Sequence, residues 1–571
     1  MAASQLKEAF LHLSQHSVDS VQNGKAFTNW DDYMHVKRPI ESKLKKKMEE
    51  IDNAGGGIVL LVGSAGDGKS HLISCIKKNS DWGDGSFYND ATASSSPKKT
   101  AIDTLKEALV EFKDENLYKT TKKLVLAINL GKLNALIDDE DIKTDYKEIV
   151  NSTSSIFKDD DTALPIFDGD DKTQPSKNER VKVVMFTNEQ AFEFFADSSS
   201  EIPVASDFFS NIIKKVVSET KDNPFYAAYT ADLASGVSPK DPIILNYELL
   251  RIPDVQNTIV LTIIEAIVRY KLIITPREFL DFLYSIIVYP HYDDYIDGHK
   301  EKKEFFEALL PTLLYCGSEN MIQKAIGKLD PLKQSSTEHD KQLSVLFTSY
   351  SIPSSYLTEQ QVSELPIELL KRTNEFYANN GRDIERTTKF VFRLKHLISY
   401  HTESEVYKSY LALLKGIFNK DLHKMQEIYE VVAKAIPRHY GSYYEKSNMV
   451  PLNIQGGRYR LFGSLQLKPE FVKSYHSDFY KNEFLLNFEM SWKFPDKSVP
   501  LIMDFQLYSY LYELNRGKLA LSYENEKDLT FSRFVRKLVE KCNCEQEITV
   551  VRSDSGVLEL SESSFGNIQL K

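Results

Sequence analysis

The run Gly63-Ser64-Ala65-Gly66-Asp67-Gly68-Lys69-Ser70 has the residue types and spacing for holding phosphate. Glycines at 63, 66 and 68 let the backbone turn so that successive amide hydrogens face inward, where they meet phosphate oxygens. A helix beginning at the end of the run adds the partial positive charge of its N-terminus. Lys69 is then placed to bridge the β- and γ-phosphates of a nucleoside triphosphate, and the Ser70 hydroxyl to ligate magnesium. His71 follows directly. The spacing predicts binding of ATP with Mg2+ over residues 63–71.

Hydrolysis asks for more than binding. A hydrolysing site usually carries an acidic residue at the end of a neighbouring strand, to hold magnesium and polarise water. The best strand for this, 124–128, ends in Asn129, which has no charge. Thr187-Asn188 closes a later strand and suits a polar group that senses the γ-phosphate. Asp90, after a short strand near Tyr88, is the nearest acidic candidate for the metal, and it reads equally well as a turn aspartate. Arg277, in Ile274-Thr275-Pro276-Arg277-Glu278, opens a helix. From there it either reaches the γ-phosphate, in cis or in a neighbouring subunit of a homo-oligomer, or pairs with an acidic side chain. Lys69, Asp90, Asn129, Asn188 and Arg277 form the catalytic candidates, and both turnover and simple nucleotide gating stay open.

The elements that must position these groups are legible around the loop. Ile58-Val59-Leu60-Leu61-Val62 is a short, continuously apolar and β-branched run, as expected of a buried parallel strand, and His71 to Lys78 reads as a helix. Strand, loop and helix is the context the loop requires. Further strands are expected at 124–128 and 181–186, with a helix at about 99–112, so strands alternate with helices as in a parallel α/β sheet. Residues 1–50 read as a helical segment and 51–250 as the core. Within that core, 138–180 reads as a flexible acidic insertion. Residues 251–440 carry helical apolar spacing, and 441–571 mix strands and helices as a small α+β domain.

Arg382, Arg386, Lys389 and Arg393 recur at helical spacing and share one face. Such a stripe can follow a DNA backbone, although a solvated or acid-paired face is the commoner outcome. No nuclease centre stands out. Asp504 ends an apolar run, but the strand at 547–551 lacks a Glu-x-Lys pattern, and Asp504 reads as a helix cap.

The whole-chain numbers set limits. Length of 571 residues implies several domains, and 42% apolar with 27% charged residues is ordinary for a globular chain. A net charge of −11 excludes a protein that coats DNA non-specifically, so any DNA contact comes from a local patch or a partner. Four cysteines do not make a disulfide framework, and Cys542-x-Cys544 reads as two ordinary thiols. The N-terminal residues lack a signal-peptide pattern, and Glu265 interrupts the most apolar stretch, Ile259 to Val268. A soluble, cytoplasmic protein is expected, with no membrane partner.

Further runs accompany the loop: Met34-His35-Val36-Lys37-Arg38-Pro39-Ile40-Glu41, Tyr88-Asn89-Asp90-Ala91-Thr92, Ala127-Ile128-Asn129-Leu130-Gly131, Asn223-Pro224-Phe225, Asn246-Tyr247-Glu248-Leu249-Leu250 and Met503-Asp504-Phe505-Gln506-Leu507-Tyr508. Together they resemble the DptF (also DndF) family of DNA phosphorothioation-dependent restriction proteins, over most of the chain. The resemblance implies a bacterial defence ATPase working with DptG- and DptH-like partners against double-stranded DNA that lacks the host's sulfur modification. It carries nucleotide contacts onto Gly63, Gly66, Gly68, Lys69 and Ser70. The expected fold class is multi-domain α/β and α: a P-loop NTPase core of AAA+/STAND-like kind, a helical middle region and an α+β C-terminal domain. A non-hydrolysing, nucleotide-gated assembly module is the alternative, and a signalling ATPase with no DNA role a third.

Overall fold

Alternation of side chains along a buried strand places apolar groups on both faces of a sheet, and both must then be covered. The strand β1, Gly57–Gly63, is buried at every position. In the computed structural model β1 lies inside a four-stranded sheet with β2 (Phe87–Tyr88), β3 (Lys123–Asn129) and β4 (Val181–Met185). Its order is β2-β3-β1-β4, and every pairing is parallel. Ile58, Leu60 and Val62 face one layer with Leu105, Leu109, Leu133 and Leu136. Val59 and Leu61 face the other, against Leu44, Met48 and Ile51 of helix Pro39–Asn53 and Leu72, Ile73 and Ile76 of helix Lys69–Lys78. The chain is therefore mixed α/β about a parallel sheet.

The structure describes residues 4–14, 29–64, 66–89, 101–153, 156, 178–186, 205–297, 304–334, 336–378, 384–419, 421–439, 449–452, 459–464, 468–469, 487–493, 498–518, 525–541, 547–552, 556–562 and 568–570. Their contacts divide them into two units, one ending at Glu403 and one beginning at Ser404. The helical region expected over 251–440 contributes to both.

Within the first unit, the N-terminal helix Gln5–Leu11 is tied to helix Pro224–Ala234. Asp232 accepts from the Ser4 hydroxyl at 2.7 Å and from the backbone N–H groups of Gln5 (2.8 Å) and Leu6 (3.0 Å). Phe10 packs on Phe225, ring centroids 4.9 Å apart.

One expectation needs correcting. The acidic stretch from 138 is helical over Glu140–Asp145 and Lys147–Thr153. Ile142, Tyr146 and Ile149 recur at helical spacing and are buried against the sheet layer. Three apolar residues suffice to seat the helices, while the surrounding acids hide them from a compositional reading. Residues 157–177 lie outside the described residues.

Beyond the sheet, helix Pro253–Tyr270 is buried from Thr258 through Val268. Glu265 inside it is ion-paired to Arg269 at 2.8 Å and accepts from Tyr400 Oη at 2.6 Å and Thr402 Oγ1 at 3.0 Å. Among the described residues no helix is long and apolar enough to cross a membrane.

Helix Ile384–Ile398 sets His396 beside the rings of Phe392 and His339, centroids 5.0 and 5.3 Å away. Burial, then the neighbouring His339, His401 and Lys395, push the His396 imidazole down to about 3. The folded value is below that of a free histidine, about 6.5. Unfolding therefore takes up a proton between those limits, and this contribution to stability is present above pH ~6.5 and lost as pH falls toward 3. At pH 5 the loss is about 2 kcal/mol relative to pH 8. Urea midpoints across this range should fall less steeply for His396→Gln than for the natural chain; equal slopes would show that His396 does not carry the effect.

The second unit holds helices Glu405–Phe418, Leu422–His439, Phe505–Asn515 and Asn525–Lys541. Its strands are β5 (Met449–Pro451), β6 (Tyr459–Ser464), β7 (Asn487–Lys493), β8 (Ser498–Asp504), β9 (Glu547–Arg552), β10 (Val557–Glu562) and β11 (Ile568–Leu570). A sheet of order β11-β10-β9-β6-β5 is antiparallel, as is the β7–β8 pair. Trp492 on β7 is fully buried between Tyr429 and Phe534, with centroids 4.9 Å from each. Asp504 accepts from the backbone N–H of Leu507 at 2.7 Å and so caps the helix that follows.

Candidate functional site

Parallel strands deliver their C-terminal ends to one edge of a sheet, and the glycine-rich loop leaves from that edge. Gly63 pairs with Asn129 across β1 and β3, while the Phe186 N–H donates to Val62 O at 2.8 Å just past β4. A Cβ on Gly63 would stand 2.6 Å from Asp67 Oδ2 and 2.9 Å from the Phe186 side chain. Gly66 and Gly68 have φ of +86° and +87°, a region that costs an L side chain strain. Gly68 is also the N-cap of helix Lys69–Lys78, and its carbonyl accepts from Leu72 N at 2.9 Å.

The loop is held by its own charges. Asp67, 7% exposed, turns its carboxylate back to accept from the Ser64 N–H. Lys69 Nζ donates to Gly63 O at 3.0 Å and to Ser64 O. Burial raises the Asp67 carboxyl above its usual range, with Lys69 opposing, and burial lowers the Lys69 ammonium, with Asp67 opposing. A cation is thus held across the turn at the N-terminus of a helix whose first turn contains no acid.

Two further segments close on the loop. Arg38, just before helix Pro39–Asn53, donates from Nη2 to Asp67 O at 2.8 Å and lies over the Phe186 ring at 5.1 Å. Burial pushes its guanidinium down to about 10, and Nη1 is shielded from solvent without a hydrogen-bond partner among the described residues. From the other side comes Thr275, whose Oγ1 would lie 3.0 Å from a Cβ on Gly66. Thr275 N–H donates to Glu278 Oε2 at 2.7 Å, and Glu278 N–H to Thr275 Oγ1 at 3.3 Å. This capping box starts helix Pro276–Ile287 against the loop.

Arg277 therefore sits in the first turn of a helix that touches the loop, and its side chain is exposed. Asn129 uses its side chain to accept from Lys132 N at 2.8 Å, capping helix Leu130–Asp138 at the sheet edge beside Gly63. His71, one residue past Ser70, places Nε2 3.0 Å from His35 Nδ1, and burial, then His35, push its imidazole down to about 4. Ala65, Asp90, Asn188 and Arg382 lie outside the described residues. Sequence reasoning did not single out Arg38 or Thr275 as site residues. The Thr-x-x-Glu capping signature at 275–278 was the one signal available for the second.

The basic stripe divides. Arg386 and Lys389 are exposed, with Lys389 ion-paired to Glu385. Arg393 turns inward to a two-pronged pair with Asp330, Nη2 to Oδ2 at 2.8 Å and Nε to Oδ1 at 3.1 Å.

No protein-family model, curated protein or solved structure matches the chain.

Proposed function

We propose that this chain binds ATP with Mg2+ at residues 63–71 and serves as an ATP-hydrolysing subunit of a DNA phosphorothioation-dependent restriction complex, acting with DptG- and DptH-like partners on unmodified double-stranded DNA. The observation that carries the nucleotide half is the loop itself. Left-handed glycines at 66 and 68, a helix N-terminus and a cation folded across the turn make a cradle that fits a triphosphate. In this reading the core is a P-loop NTPase domain. Lys69 holds the terminal phosphates, Ser70 the magnesium, and Arg277 is the charge that approaches from the second helix. The restriction half rests on the sequence resemblance and on the net charge of −11, which suits a subunit that leaves most DNA contact to partners. The chain is cytoplasmic in this reading.

Asn129 favours a second reading. At the sheet edge beside the loop it supplies an amide that caps a helix, not a carboxylate. A non-hydrolysing module, in which ATP locks an assembly, fits that residue. Phosphate release from the full chain, with and without double-stranded DNA and the partner subunits, separates the two. Release above that of a Lys69→Ala control supports hydrolysis. Binding of ATP with no release under any condition leaves the assembly reading.

A further inference from the structure

Behind the loop, three chain segments bring together nitrogen, oxygen and sulfur. His35 stands between helix Asn29–Met34 and helix Pro39–Asn53, Glu41 lies in the first turn of the latter, and Cys75 lies one turn after His71 on helix Lys69–Lys78. His35 Nε2 is 3.2 Å from Glu41 Oε2 and 3.6 Å from Cys75 Sγ. One ligand atom from each of the three residues falls within 4.8 Å of the other two. Glu41 is 4% exposed and Cys75 8%.

We propose that His35, Glu41 and Cys75 bind a thiophilic divalent cation, zinc being the type case, through Nε2, a carboxylate oxygen and the thiolate. Zinc bonds of about 2.0–2.3 Å set tetrahedral ligand–ligand edges of about 3.3–3.8 Å. The separations from His35 Nε2 to Glu41 Oε2 and Cys75 Sγ, 3.2 and 3.6 Å, already sit near that range. A ligating histidine needs its other ring nitrogen engaged, and His35 Nδ1 meets His71 Nε2 at 3.0 Å, which leaves Nε2 for the cation. His71 Nε2 accepts that proton, and Cys75 must give up its own, because the thiolate is the ligating form. Binding therefore expels the Cys75 S–H proton to solvent, and the thiolate with the Glu41 carboxylate neutralises the ion's two charges. Lys45 stays on the other Glu41 oxygen at 2.6 Å. Three protein ligands leave one coordination position for water. The site joins the segment that carries Arg38 to the helix that begins at Lys69, and it does not depend on what the loop binds.

The test uses the full chain, stripped with a chelator and reloaded with zinc or cobalt alone. A Cys316→Ser/Cys542→Ser/Cys544→Ser chain keeps Cys75 as its sole thiol. Loaded with cobalt, it is expected to show a thiolate-to-cobalt band in the near ultraviolet and tetrahedral bands in the visible. It should also retain one zinc ion per chain through desalting. His35→Gln in the same background should lose both. Absence of the thiolate band in the sole-thiol chain overturns the proposal, as does a band that survives His35→Gln. In either case the contacts are a hydrogen-bonded network only. Because the decisive spectrum is taken without altering His35, Glu41 or Cys75, misfolding of the His35 variant leaves the test intact.

Discussion

A Lys69→Ala chain should bind ATP roughly 100-fold more weakly, a loss of about 2–3 kcal/mol, while melting within a few degrees of the natural chain. The ammonium's visible partners are two backbone carbonyls of its own loop, Gly63 and Ser64, and burial already depresses its charge. Removing it relieves a desolvated cation at the cost of two hydrogen bonds and of its attraction for the buried Asp67 carboxylate, which keeps the Ser64 N–H and the Arg38 charge, so the fold changes little. Under the proposed nucleotide reading, a triphosphate would lose the charge-assisted contact of this ammonium. Equilibrium titration with a fluorescent ATP analogue, beside a thermal scan, reads both quantities. Unchanged affinity would remove the loop from nucleotide binding. A collapsed melting temperature would make Lys69 a residue of the fold.

The second large effect lies away from the loop. Asp330→Ala is expected to destabilise the first unit by about 3–5 kcal/mol. Asp330 is 2% exposed and the Arg393 side chain 12%, so truncation leaves a guanidinium indoors with no carboxylate. Asp330 also accepts from Leu332 N at 3.2 Å, capping the turn Pro331–Lys333. The double change Asp330→Leu/Arg393→Met, which removes both charges, should recover most of the loss. Hydrogen exchange across helix 384–398, with urea midpoints, measures it. If single and double variants exchange alike, the pair is not what holds this helix.

Much of the site was legible because its signals are local. Gly63 through Ser70, the apolar run before it and the helix after it lie within a few tens of residues, and each declares itself by composition. Asp67's inward carboxylate was not legible, since a loop aspartate facing solvent is written with the same letter. Arg38 and Thr275 reach the loop only through tertiary packing, Arg38 from 29 residues upstream. The stripe at 382–393 shows the converse case, where the acid-paired face named as the commoner outcome holds at Lys389 and Arg393. Arg386, Lys389 and Arg393 do lie on one helix, but helical spacing does not say which positions a distant residue claims, and Asp330, 63 residues away, claims Arg393. Strands β3 and β4 were readable from β-branched runs, while the helices at 140–153 were masked by their acids.

The crowding at the loop's glycines bears on how genetic data on this protein should be read. A side chain at 63 meets Asp67 and Phe186, at 66 it meets Thr275, and at 68 it meets Arg38, with positive φ compounding the last two. A screen for loss-of-function alleles will collect substitutions at these glycines whether or not a phosphate ever touches the loop. Such alleles report on architecture. Only changes that leave the backbone alone, at Lys69 and Ser70, can report on chemistry.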